Sequence, residues 1–161
     1  MMGDQLGQAL ADLLERSFRE DNFWHGALWQ HVTDLTAEQA LWRLTPERHC
    51  AWEIVRHVTF WRRYLLEWHA GRPRPDVASN NWTLPEARDD GAWREDLAAL
   101  ENVQEAVRGL FQSADPQALL ARGDDGKYGK FVYVAGILTH DSYHTGQIAI
   151  LRASMGLPPI D

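Results

Sequence analysis

The sequence predicts an all-α fold, an up-down four-helix bundle, and three observations carry that expectation. Four long stretches place apolar residues at steps of three and four, the period of a helix with one buried face. Nothing sustains the alternation of a half-buried strand, although "KYGKFVYVAG" leaves room for a short extended piece. The segments between are broken by Pro, Gly and short polar turn formers. At 161 residues, of which 45% are apolar, residues 1–161 suit a single domain around one sizeable core.

The first helix is expected over residues 4–20, on Leu6, Leu10, Leu13, Leu14 and Phe18. A break near residues 20–23 separates it from a second helical segment reaching about Asp34. Thr36 followed by Gln39 makes a capping box and predicts a short helix that ends before Pro46. The second long helix carries Cys50, Ile54, His57, Trp61, Tyr64 and Trp68, and Gly71 with Pro73 stops it. Residues 71–84 read as a loop. Thr83, Pro85 and Glu86 then look like a helix start, and the third long helix runs through Trp93, Leu97, Leu100, Val103, Val107 and Leu110 to about Gln112. Asp115-Pro116 caps a short turn of helix, and "RGDDGKYGK" is a Gly-rich loop. The last long helix carries Tyr133, Ile137, His140, His144, Ile148, Leu151 and Met155, closed by Gly156 and Pro158.

Composition narrows the function. The formal charge is −7, and the largest basic cluster is the pair Arg62-Arg63, so no nucleic-acid partner is expected. The one cysteine, Cys50, excludes an intramolecular disulfide framework and a multi-cysteine zinc site, and fits a reducing cytoplasm. The amphipathic N-terminal stretch does not resemble a signal segment, and no apolar run approaches the roughly 18 residues of a membrane span. A cytoplasmic protein with no membrane partner is the expectation.

The stretch "LTHDSYHTGQIAILR" places His140 and His144 where leucines would pack. Residues four apart differ by about 40° around the helix axis and about 6 Å along it, so the two imidazoles share a face and reach one ion. Metalloprotease helices use that spacing, but they need a glutamate after the first histidine, and here Asp141 stands there. His57, midway along the stripe of another long helix, is the best third ligand. An unpartnered buried polar group costs on the order of 1–3 kcal/mol, and a shared metal ion satisfies all three rings at once. The plainer reading is three hydrogen-bonded core histidines. His31, His49 and His69 fall near segment ends, where exposure is expected, whereas His25 could face the same cavity.

Several neighbours have a functional and a plain reading. Glu53 precedes His57 by one turn and could reach its far nitrogen, or sit in solvent in the helix's first turn. Gln147 could bond across the bundle, and Trp61 could line a pocket with Tyr64 and Trp68 or simply fill core. Gly146 could allow close approach beneath a metal, or be merely tolerated. Asp141 points about 100° away from His140, toward another helix or solvent. Cys50 reads as a small buried thiol.

"HCAWEIVRHVTFW" followed later by "GILTHDSYHTGQIAILR" resembles the DinB-like superfamily of metal-dependent bacterial proteins, which takes in YfiT-like thiol-dependent transferases. "FWHGALWQHVTDLTAEQALWRLTPERH" is similar to the N-terminal region of one branch. The resemblance implies a four-helix bundle of the DinB/YfiT-like type, with short extra helices in the connections, over nearly the whole chain. It implies a divalent metal, zinc or nickel above all, held at the positions of His57, His140 and His144, and a homodimer. A low-molecular-weight thiol as cosubstrate is the practice of some relatives.

The leading expectation is metal-dependent small-molecule chemistry, either thiol transfer or hydrolysis. One rival is a non-catalytic metal- or ligand-binding module in a stress response. Another is a structural dimer whose histidines are satisfied core residues.

Overall fold

The computed structural model describes residues 2–19, 24–121 and 130–160. The described residues form eight helices and no strand. The four long ones are α1 (Met2–Phe18), α4 (Ala51–His69), α6 (Asp90–Gln112) and α8 (Lys130–Ser154). Short helices α2 (Leu28–Val32), α3 (Ala37–Leu41), α5 (Val77–Asn80) and α7 (Pro116–Leu120) lie in the connections. Helix α1 packs on α6 and α8, and α4 packs on the same two, so the long helices close a ring of contacts. No helix among the described residues is long and apolar enough to cross a membrane.

Local chemistry places most helix ends where the sequence suggests. Thr36 Oγ1 accepts from Gln39 N, and Gln39 Oε1 accepts from Thr36 N, which opens α3. Asp115 accepts from Gln117 N ahead of Pro116, at the start of α7. Gly71 and Gly156, at φ +67° and +73°, turn the chain out of α4 and α8 through the left-handed region that side chains avoid.

Four expectations change. The second helical segment shrinks to α2, because Ala27 is extended and its N–H is capped by Gln30 Oε1 at 2.7 Å. The break near residues 20–23 and most of "RGDDGKYGK" lie outside the described residues, and from Lys130 "KFVYVAG" is helical rather than extended. The connection after α4 contains α5, capped by Asp76 through Ser79 N. Thr83 does not start a helix. Its hydroxyl accepts from Arg56 Nε at 3.1 Å, and α6 begins at Asp90 with Asp89 accepting from Ala92 N. A tertiary partner took the oxygen that a helix cap would have used.

The main core gathers Trp52, Ile54, Trp93, Leu100 and Ile148, with a second cluster around Leu10, Leu14, Val107 and Phe111. Leu13, expected inside, is 51% exposed because Leu10 and Leu14 already cover that stripe of α1. At Gly7 an added Cβ would stand 2.5 Å from the Phe111 carbonyl oxygen, so glycine permits α1 to close on the end of α6. Trp52 Nε1 donates to Asp96 and Trp93 Nε1 to the Leu35 carbonyl, so both buried indoles keep a partner.

A polar thread crosses this apolar interior. Arg62 on α4 is buried, and its Nε donates to Gln104 Oε1 on α6 at 2.8 Å. One terminal nitrogen of Arg62 donates to Asp141 on α8, whose side chain is likewise 1% exposed. Gln104 Nε2 continues to the Leu14 carbonyl of α1 at 3.1 Å, and the guanidinium lies over the Phe18 ring at 5.5 Å. One side chain therefore engages all four long helices. Breaking a buried pair leaves a charge unmatched, whereas replacing both members with apolar groups is often neutral. Arg62→Met is expected to cost about 3–5 kcal/mol in urea unfolding, with most of that recovered in the Arg62→Met/Asp141→Leu double variant.

Candidate metal centre

The contact between α4 and α8 brings His57 to the pair His140 and His144. Their three Nε2 atoms converge. His140 Nε2 lies 3.0 Å from His57 Nε2 and 3.1 Å from His144 Nε2, and one donor atom from each ring falls within 4.8 Å of the others. Two imidazoles bound to one tetrahedral zinc-like ion at 2.0–2.1 Å would hold their nitrogens about 3.3 Å apart. Among the described residues this is the only group of three His, Cys, Asp or Glu side chains so arranged.

The surroundings set which ring nitrogens carry protons. Gln147 Nε2 donates to the Tyr143 hydroxyl, which turns Gln147 Oε1 toward His144 Nδ1 at 2.7 Å. His144 Nδ1 is thereby the protonated nitrogen and its Nε2 presents a lone pair. His57 Nδ1 and Asn81 Oδ1 are both buried without a hydrogen bond of ordinary geometry, yet Asn81 acts on His57 as a hydrogen-bonding neighbour. A proton on His57 Nδ1 directed at Asn81 would free the second Nε2 as well.

Burial keeps these rings neutral. Desolvation first, and then the positive charge His144 would carry, bring His57 down to about 4. The same causes, with His57 added, bring His140 down to about 3. His144 is lowered by burial against the opposing pull of Gln147. Three neutral nitrogen donors facing one point suit a borderline divalent cation.

The connection between α5 and α6 builds a wall on this site. Trp82 stacks on His57 with ring centroids 3.7 Å apart and planes 8° from parallel, and on its other side it stacks on His49 with the same separation and angle. Arg56, paired with Asp96, holds neighbouring Thr83. Sequence periodicity could not find Asn81 or Trp82, because both lie in an irregular connection where no spacing rule applies.

The remaining candidates separate. Trp61 meets His57 edge-on at 6.3 Å and lines a cleft of about 590 Å³ with His57, His140, Tyr64, Trp68 and Tyr133. Gln147 bonds within α8 rather than across the bundle. Glu53 does not reach His57. Its carboxylate takes Arg43, His49 Nδ1 and the Cys50 N–H at the start of α4. Burial pushes Glu53 up, but those donors outweigh it and hold it below its ordinary value. His25 lies outside the cleft, in a groove with Trp24 and Arg16, where it bonds Ser142 Oγ at 3.1 Å. His31, expected exposed, is buried, with its Nδ1 donating to the Ala27 carbonyl at 2.9 Å. Gly146 has nothing within 4 Å of an added Cβ, so no helix approaches it closely. Asp141 is the bond to another helix described above.

Fold and site together define a helical protein that turns three imidazole nitrogens on one point at the wall of a cleft. The family model of the DinB superfamily matches residues 24–148, a span containing all three histidines. The chain belongs to the DinB superfamily. No curated protein and no solved structure gives a significant match.

A histidine lowered by burial binds protons less readily folded than unfolded, so its contribution to stability is present above the unfolded value of about 6.5 and declines as pH falls toward the folded one. In metal-free protein the His57 ring protons are expected to titrate near pH 4 by NMR. Trp82→Ala, which opens that ring to water, should move the titration back toward 6.5.

Proposed function

We propose that this protein is a divalent-metal-dependent protein acting on small molecules, with His57, His140 and His144 as the metal ligands. Its frame is read as an up-down four-helix bundle, supported by the ring of contacts among α1, α4, α6 and α8. The observation that carries the function is the convergence of three Nε2 atoms, one of them fixed as a lone pair by Gln147. A divalent ion bound there would supply Lewis acidity, making a water or a thiol nucleophilic near neutral pH. Zinc and nickel suit an all-imidazole donor set.

The cleft favours chemistry over a purely structural role. Its volume of about 590 Å³ lies in the range of small-molecule sites, and His57 and His140 stand in its wall. Thiol transfer and hydrolysis are the two reactions this arrangement supports. For thiol transfer the sulfur has to arrive with a cosubstrate. Cys50 is buried at the start of α4, and burial pushes its thiol further up. Within the site, Gln147 orients His144, Trp82 and Asn81 orient His57, and the aromatic wall limits water.

Refilled apoprotein should hold about one divalent ion per chain by elemental analysis, a ratio lost in His144→Ala. Gln147→Leu should weaken binding by about 10- to 100-fold, the usual cost of removing a partner behind a ligand. Turnover in a panel of thiols and activated esters should stop on chelation and in His57→Ala. Protein that takes up no stoichiometric metal would leave the histidines as core residues.

A further inference from the structure

The cleft beside the histidines is not chemically uniform along its length. Trp61, Tyr64 and Trp68 follow His57 on α4 at helical steps, and Tyr133 faces Trp68 from α8 with centroids 4.6 Å apart. This wall is aromatic and apolar. At its far part stands one cation, Arg74, whose guanidinium carbon lies 5.6 Å from the centre of the Tyr64 ring.

Arg74 is held there by its own short segment. Residues 72–76 are irregular, and Arg74 sits between Pro73 and Pro75, whose rings restrict the backbone on either side. Arg72 turns back to pair with Glu67, and Asp76 is occupied in capping α5 through Ser79. Glu67 and Asp76, the described carboxylates nearest to Arg74 in the chain, are thus engaged elsewhere. Arg74 makes no ion pair with any described residue, in a chain with 23 acidic and 16 basic side chains. A guanidinium over an aromatic face keeps its forked donors free for a planar anion.

We propose that the cleft binds an elongated organic carboxylate with a flat apolar body. Its carboxylate meets Arg74, its body lies against Trp61, Tyr64 and Trp68, and its other end reaches His57 and His140. The assignment of the reacting end rests on the metal reading above, whereas the carboxylate end does not. Tyr64 is seven residues beyond His57, roughly 10 Å along the helix axis, and this sets the spacing between the two ends of the ligand.

The probe is para-(mercaptomethyl)phenylacetate, which carries a thiol and a carboxylate at opposite ends of an aromatic ring, compared with its methyl ester. On metal-free protein, quenching of tryptophan fluorescence should show the acid binding about tenfold or more tighter than the ester, the usual return for a charged hydrogen bond. Arg74→Gln should bring the two within about twofold, and Arg74→Lys should restore part of the preference. Because Arg74 is exposed, both variants should melt as the wild type does. On cobalt-loaded protein, the acid should add a thiolate charge-transfer band. Protein that takes no cobalt would defeat the metal reading alone, and the fluorescence comparison would still decide this one. Equal binding of acid and ester, no saturable quenching by the acid, or an undiminished preference in Arg74→Gln would overturn the proposal.

Discussion

A single buried guanidinium sets the geometry on which the rest depends. Arg62 sits on α4 five residues after His57, and its partner Asp141 directly follows His140 on α8. The ion pair therefore fixes the rotation and height of α4 against α8 beside the point where the three rings meet. Apolar side chains alone tolerate small slips between helices, because burial is nearly indifferent to direction. A charge pair in a low-dielectric interior is directional, and separating it is costly. Through Gln104 the same group reaches the Leu14 carbonyl, so α6 and α1 are tied to the register of the histidine helices.

The site itself works against the protein's own comfort. His140 Nε2, 3.0 Å from His57 Nε2 and 3.1 Å from His144 Nε2, can give its proton to one ring at a time, and as cations the three rings repel. Burial disfavours the charged form of each ring. What remains is a set of neutral rings whose facing nitrogens one divalent cation would satisfy together. The supports are placed accordingly. Gln147 is held by Tyr143 so that its oxygen faces His144, and the His49–Trp82–His57 stack presses one ring plane into place. Glu53 contributes at one remove, by pairing with Arg43 and His49 and capping α4.

Much of this was legible in the residues. The steps of three and four found all four long helices, and the His140/His144 spacing together with the central place of His57 found the three rings that converge. Those signals are local repeats, which sequence preserves. The corrections share a cause of another kind. Thr83 has the look of a cap, but Arg56 takes its hydroxyl. Leu13 has the look of core, but its neighbours cover the stripe. Glu53 has the spacing to reach His57, but nearer donors claim it. Thr83 and Glu53 each have two available partners and take the one that the folded chain brings closest, while Leu13 falls outside the stripe that the packing covers.

The sequence by itself determined the helical class, the faces that are buried and the identity of the three imidazoles, because helix periodicity converts spacing in the chain into direction in space. Only the tertiary structure decided that Arg62, Gln104 and Asp141 form one thread, that Trp82 stacks on His57, and that Arg74 stands at the aromatic cleft. Those contacts join residues from separate helices and irregular connections. No period relates their positions, and their meeting follows from packing of the whole chain.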